Sequence, residues 1–307
     1  MDLYEAFMNI SVAAVSSAVA LLLPALGEGV SERAGVLNIG TEGYMIIGAL
    51  AAYYGYLGLE SIWIGFLMAG VAGLILSWVH AFFTITLKRN QIVSGTGLWL
   101  FGMGFTAYLF RLVGITAVVE KLKVLAIPGF QEIPYFGSVF FRQNVVGYAS
   151  FLLVPIFAIA LHRTPWGLVN KAAGDSPLAA DMAGHNVSMI RYLSIGICGI
   201  MAGLGGGYLA IGSLNRFSEG LTAGRGFIAI AIVIFGGWDP KRILGGALFF
   251  SFIDSLQLYL QAQGSVIPYP LLIIMPYVLT LMVLAATSKR AKNIPHKLGV
   301  PYIRGEE

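Results

Sequence analysis

LPALGEGVSERAGVLNIGTEGYMIIGAL, residues 23–50, carries Glu28, Glu32, Arg33 and Glu42 between two apolar runs and includes six glycines. Only 11% of the 307 residues are charged, so four ionisable groups in so short a space set this stretch apart from its surroundings. Apolar runs of about 18 to 25 residues recur on both sides of it to the ends of the chain, each long enough to cross roughly 30 Å of hydrocarbon. A soluble domain carries roughly 25% charged residues. With a mean hydropathy of +0.80, this chain lacks the polar surface to cover a water-exposed fold. The expected fold is an all-α, polytopic transmembrane bundle of about 8–10 spans with short or broken helices, a single membrane domain over residues 1–307.

Working outward, apolar segments fall at roughly 6–26, 37–58, 61–87, 92–114, 144–162, 191–212, 221–238, 243–262 and 268–288. Charge, Gly or Pro marks the breaks, as at KRN (88–90), HRTPWG (162–167) and WDPKR (238–242). The clean core of the seventh segment, FIAIAIVIFGG, is about half a span, which suits a re-entrant or broken helix as well as a crossing one. With the N-terminus outside and strict alternation, thirteen Lys and Arg fall inside, among them Arg33, Lys88, Arg163, Arg191, Lys241 and the basic tail 289–307. Six, from Arg111 to Arg225, fall outside. Such asymmetry predicts a multi-pass protein of the cell membrane with its C-terminus cytoplasmic. The acidic opening MDLYEAF, with no small-residue cleavage site after the first run, argues against a removable signal peptide. The net charge of +4 therefore reads as topology, not as a nucleic-acid surface. Cys198 is the single cysteine, so no intramolecular disulfide can form.

The run SERAGVLNIGTEGYMIIGAL (31–50) and the run FSEGLTAGRGFIAIAIVIFGG (217–237) share a pattern: charges, spaced glycines, then a short apolar stretch. The alternation places them in opposite orientations. Two readings stand, an inverted repeat of the kind that builds transporters, or shared composition. Gly199, Gly203 and Gly207, and likewise Gly65, Ala69 and Gly73, put small residues on one helical face, where backbones embedded in lipid approach closely.

The chemistry on offer is sparse. Ser94 and His80 faintly suggest an intramembrane serine hydrolase, but both flank the basic break at Lys88 and Arg89. The four histidines lack metal-ligand spacing, so neither a catalytic nor a metal site is expected. No Gly-Lys pair occurs, which removes the core of a phosphate-binding loop; any ATP is used by another chain. Ser251, Asp254, Ser255 and Gln261 share a helical face. A charge such as Asp254 at membrane depth faces a cavity or a partner, so this face either lines a pathway or makes interhelical hydrogen bonds. Asn38 and Glu42, four apart at the start of the second segment, allow the same two readings, with Glu42 also able to complement a helix N-terminus. Glu28, Glu32 and Arg33 are read as a paired loop at the inner face, a candidate hinge.

The longest inside loop, about 163–191, reads HRTPWGLVNKAAGDSPLAADMAGHNVSMIR from residue 162. Within it Ser176 suits an N-cap, Pro177 the first helical position and Gly184 a helix end. A short helix so placed docks a soluble partner or rests on membrane lipid; its Asp181 disfavours anionic lipid. KAAGDSPLAADMAGHNV (171–187) resembles the coupling-helix loop of permease subunits in ATP-binding-cassette importers. ALGEGVSERAGVLNIGTEGYMIIGA (25–49), LTAGRGFIAIAIVIFGGWDP (221–240) and PYVLTLMVLA (276–285) are similar to the branch that handles purine nucleosides and simple sugars, and to the shorter of its two permeases. Lys171 stands where an Arg is common. The resemblance implies that Asp175, Ser176, Pro177, Ala180, Asp181 and Gly184 lie in the groove of a cytosolic ATP-binding subunit. It also implies a second, related permease completing a heterodimer, and an extracytoplasmic, lipid-anchored substrate-binding protein. Nucleosides are the favoured cargo, simple sugars the alternative; a stand-alone ion-coupled carrier using Asp254 or Glu42 is the competing class.

Overall fold

The computed structural model describes residues 3–114, 117–264, 268–287 and 293–304. Twelve helices make up most of it: α1 (Leu3–Arg33), α2 (Thr41–Leu59), α3 (Ile62–Ala81), α4 (Gln91–Val113), α5 (Phe136–Phe140), α6 (Val145–Arg163), α7 (Pro165–Asp175), α8 (Pro177–Met182), α9 (Val187–Gly207), α10 (Arg225–Gly236), α11 (Pro240–Ala262) and α12 (Tyr269–Thr287). Each expected apolar segment coincides with one of α1–α4, α6 and α9–α12. Six of these helices, α1, α3, α4, α6, α9 and α11, are long and apolar enough to cross a membrane. By contrast α10, with 12 residues, rises only about 18 Å and stops short of a crossing. Two wide π-turns, Phe82–Thr86 and Tyr208–Ser213, extend α3 and α9.

Three features depart from the sequence reading. First, α1 does not end near residue 26 but runs 31 residues to Arg33, so Glu28, Glu32 and Arg33 lie on its last turns and not in a loop. Glu and Arg are good helix formers. The break comes instead at Gly35, whose φ of +87° is one that an L side chain rarely adopts. Second, HRTPWG does not simply break the chain but starts a second helix, α7, in the long loop. Thr164 caps it by accepting from Gly167 N, and Pro165 occupies its first position. Third, the stretch between α4 and α6, where no apolar segment falls, holds α5 and an antiparallel strand pair, β1 (Val124–Ala126) with β2 (Arg142–Asn144).

The bundle is built around α1 and α9, the most enclosed of the spanning helices, while α4 lies at the periphery. The small-residue faces pack against each other as their spacing implied. A Cβ on Gly73 would strike Gly199 O, and one on Gly203 would strike Ala69 O. A Cβ on Gly48 of α2 would lie 2.5 Å from Gly203 O, so three helices meet at this one residue. Lipid chains are as apolar as the side chains, so this closeness supplies dispersion contacts that larger residues would prevent.

The connections gather at two ends. One end carries the end of α1, Lys88 with Arg89, α7 with α8, the start of α9, and segment 293–304. Leu37 N donates to Gln91 Oε1 there, at 2.8 Å, and Lys297 N to Gly174 O, at 2.9 Å. Positive side chains collect at this basic end. At the opposite end Tyr53 donates to Ala117 O, at 2.8 Å, and Arg111 forms a two-pronged ion pair with Glu219. The remaining tail basics, Lys289, Arg290 and Lys292, lie outside the described residues.

Candidate functional site

After Arg33 the connector 34–40 folds back alongside α1 before α2 begins. Asn38 therefore stands in this connector, and not on the α2 face with Glu42 that its spacing suggested. It is fully buried. Its backbone N–H donates to Glu28 Oε1 at 3.1 Å, and its amide to Thr41 Oγ1 at 3.0 Å. Thr41 Oγ1 lies 2.8 Å from Glu28 Oε2, and the Cys198 thiol donates to the same oxygen from 3.0 Å. Asn38 thus takes part in an internal hydrogen-bond network. One helical turn on, Glu32 accepts from Trp238 Nε1 at 2.6 Å, while its Oε1 finds no partner among the described residues. The local pairing expected of these acids with Arg33 does not form: each turns inward to a neutral donor. Arg33 closes α1 with its side chain largely buried. What the sequence presents as a charged surface turn is an interior seam.

Glu42, in the first turn of α2, forms the most concentrated contact. Its carboxylate accepts from Thr222 Oγ1 at 2.6 Å, Gly224 N at 2.8 Å and Gly226 N at 2.6 Å. Those donors are the free N-terminal end of α10, so two helices meet N-terminus to N-terminus with one carboxylate between them. Opposing positive helix ends repel, and the anion offsets this while satisfying N–H groups that have no intrahelical partner. A Cβ on Gly226 would fall 2.5 Å from Glu42 Cα, so glycine is what lets the ends approach. Ala223, just before, is held at φ 45°. The two Gly-rich runs compared in the sequence are therefore in direct contact.

From that junction α10 leads to α11. Arg225 Nη2 pairs with Asp254 Oδ2 at 2.8 Å, both side chains mostly shielded. They line a cavity of about 210 Å³ with Gln257, Gln261, Tyr277 and the apolar Leu21, Ile228 and Phe250. Of the expected face, Asp254 and Gln261 reach this cavity. Ser251 does not, because it is buried against α1, where it donates to Ala14 O at 2.7 Å. Gln257 was missed, although its spacing of three from Asp254 and four from Gln261 marks it. Arg225 was counted only as an outside charge.

At the basic end α8 begins at Pro177 as expected, and Gly184, at φ +87°, ends it, with His185 N returning to Ala180 O at 3.0 Å. Ser176 holds the N-cap position but makes no side-chain capping bond. Asp175 closes α7, Ala180 is buried, and Met182 stands 81% exposed beyond them. Asp181 accepts from Tyr302 and pairs with Arg304, each at 2.9 Å. The residue the sequence reading overlooked here is Arg191. Buried at the start of α9, it donates to Ala34 O at 3.0 Å, Val300 O at 3.0 Å and Ala173 O at 3.2 Å. One guanidinium thereby ties together the end of α1, α7 and the C-terminal segment.

Ser94 Oγ does lie 3.3 Å from His80 Nδ1, but the ring's other contact is the Leu37 backbone, so among the described residues no carboxylate orients it as a nucleophile's base. The contact ties α3 to α4. Among the described residues no cluster of His, Cys, Asp and Glu could hold a metal ion.

A many-span bundle in which discontinuous helices meet at a buried polar junction beside a cavity is the architecture of a membrane transport protein. The chain belongs to the family described as the permease component of branched-chain amino acid transport systems, whose model matches residues 10–286. It is 37% identical, over the whole of both chains, to the guanosine ABC transporter permease protein NupQ of Bacillus subtilis. It is 32% identical to the nucleoside ABC transporter permease protein NupC of Lactococcus lactis, over 93% of this chain and 94% of that one. A putative glucose ABC transporter permease protein of Haloferax volcanii, TsgC13, is 39% identical over 81% of this chain and 77% of its own. No solved structure matches the chain.

Proposed function

We propose that this chain is one permease subunit of an ATP-binding-cassette importer that carries purine nucleosides into the cell. The full-length similarity to the guanosine permease carries this reading. Two nucleoside permeases of Lactococcus lactis both resemble the chain, NupC and, at 23% identity, NupB. That supports a heterodimer of related permeases. The other partners are a cytosolic ATP-binding subunit, which alone uses ATP, and an extracytoplasmic lipid-anchored binding protein; the chain itself takes no cofactor. The basic end is cytoplasmic and the N-terminus outside, in keeping with the collection of Lys and Arg there.

In this reading α8, from Ser176 to Gly184 with Asp175 before it, docks on the ATP-binding subunit, and exposed Met182 supplies apolar contact. The end of α1 with Glu28, Glu32 and Arg33 serves as the hinge, because α7 packs directly on it: a Cβ on Gly174 would strike Arg33 O. The junction at Glu42 and the cavity at Asp254 and Gln261 border the route of the solute.

The test is uptake of radiolabelled guanosine by a host lacking its own nucleoside transport, with the chain and its genomic partners co-expressed. Guanosine should accumulate, other purine nucleosides should compete, and a Walker-motif substitution in the ATP-binding subunit should abolish uptake. Competition by glucose alone would establish the sugar alternative. Uptake that persists without the ATP-binding subunit would leave an ion-coupled carrier, with Asp254 or Glu42 as its proton site.

A further inference from the structure

We propose that the cavity between α10, α11 and α12 binds the heterocyclic base of the nucleoside, with the carboxamides of Gln257 and Gln261 and the carboxylate of Asp254 reading its hydrogen-bonding edge. The proposal rests on the function inferred above and names the part of the solute held by this chain.

Gln257 is the observation that points to a ligand. It is 7% exposed, it lines the cavity, and its amide has no hydrogen-bond partner among the described residues. Buried amides are ordinarily paired; neither amide atom of Gln257 is among the unpartnered atoms sealed from solvent, so the group opens on the cavity. Gln261, one turn further along α11, also lines the cavity with no partner for its amide among the described residues. Asp254 completes the row. Its Oδ2 is taken by Arg225 at 2.8 Å, while Oδ1 has no hydrogen-bond partner among the described residues. Residues 254, 257 and 261 follow one another at three and four, so all fall on a single helical face.

The chemistry of the row selects the ligand. The guanidinium and carboxylate cancel, so the cavity favours a neutral solute over a phosphate or an amine. Each carboxamide presents a donor and an acceptor side by side, matching the alternating edge of a base, and a carboxylate oxygen accepts from a ring or exocyclic N–H. A pentose offers only hydroxyls. The walls contributed by Leu21, Ile228 and Phe250 suit the apolar faces of a flat ring. At about 210 Å³ the cavity is smaller than the roughly 300–1,000 Å³ of whole small-molecule sites, which fits one portion of a nucleoside.

The chain's single, buried cysteine makes a direct test practicable. In vesicles holding the complete transporter, Gln261→Cys should react with N-ethylmaleimide while the wild type does not, and guanosine but not glucose should slow the reaction. Gln257→Met keeps the side-chain length and breaks no internal bond. It should raise KM for guanosine about tenfold, the size of one net hydrogen bond, with a smaller effect on Vmax and unchanged recovery of the complex. Normal guanosine uptake, combined with an unprotected thiol in the Gln261→Cys variant and an unchanged KM for Gln257→Met, would overturn the inference and leave the transport function standing. Protection by glucose in place of guanosine would overturn the ligand class. A wild-type complex that takes up no nucleoside would refute the function itself.

Discussion

Replacing Glu42 isolates the junction of α2 and α10 better than any other single change. Its carboxylate accepts from one hydroxyl and two backbone N–H groups at 2.6–2.8 Å. Hydrogen bonds to a charged group contribute about 1.5–3 kcal/mol each, and three on one side chain are not additive. Glu42→Ala leaves the N–H groups of part-buried Gly224 and buried Gly226 without acceptors, at about 1–3 kcal/mol apiece. It also removes the anion between two helix N-termini, worth up to about 2 kcal/mol. Together these terms come to about 2–8 kcal/mol, a large part of the roughly 5–15 kcal/mol that holds a typical fold. Glu42→Gln keeps one acceptor oxygen but turns an NH₂ toward a backbone donor, so about 2–4 kcal/mol is expected.

The assay is thermal denaturation of the tagged chain in mild detergent, followed by fluorescence-detected gel filtration. The melting temperature should fall in the order wild type, Gln, Ala. Gly226→Ala should reproduce the defect by a steric route, since its Cβ would fall 2.5 Å from Glu42 Cα and N. If Glu42→Ala and Gly226→Ala both melt with the wild type, the carboxylate does not hold α10, and the junction as reasoned here is wrong.

Other outcomes follow from neighbouring contacts. Gly199→Leu should sharply reduce recovery of folded protein, because a side chain there meets Gly73 O and Ser77, whereas Gly104→Leu, on the open face of α4, should leave recovery unchanged. Arg191→Lys cannot reach all three carbonyls; in the assembled transporter ATP hydrolysis should continue while guanosine uptake falls, and a proportional loss of both would count against a transmitting role. Asp181→Ala together with Met182→Ala should reduce co-purification of the ATP-binding subunit without lowering recovery of the chain. Glu219, outside the spans, is held below the ordinary carboxylate range by its hydrogen bonds from Arg111. A depressed acid stabilises above its unfolded pKa and loses that contribution as pH falls through its folded value. The pair is exposed, so Glu219→Gln should change the melting temperature little at neutral pH and not at all in strong acid.

The segments and the small-residue contacts were legible because both are periodic: apolar length marks a span, and a spacing of four puts glycines on one face. The end of α1 was not, because charge was read as a sign of water. Glu28 and one oxygen of Glu32 are held by Asn38, Thr41, Cys198 and Trp238, residues up to 206 positions away, and no local pattern reports such partners. Arg191 was hidden for a related reason. Its three acceptors are backbone carbonyls, which carry no side-chain signature at all. The face of α11 was half legible. Helical spacing gathers Ser251, Asp254 and Gln261, but only packing shows that Ser251 turns to α1 while Gln257 turns to the cavity.

Polar seams at these places also follow from what a moving part in a membrane requires. An apolar core holds by close packing and resists gradual displacement. Helix ends inside hydrocarbon cannot be left bare, since each unsatisfied N–H is costly and irregular backbone survives only when buried in protein or facing water. A carboxylate meets this demand at Glu42, where it satisfies several donors at once. The glycines at 224 and 226 keep that contact short without filling the gap with side chains. The same logic explains Glu28, whose partners on the connector and on α9 join three segments through hydrogen bonds. Of the described residues, five acidic or basic ones are buried, and four of them, Glu28, Glu32, Arg33 and Glu42, belong to the opening stretch, at contacts between helices.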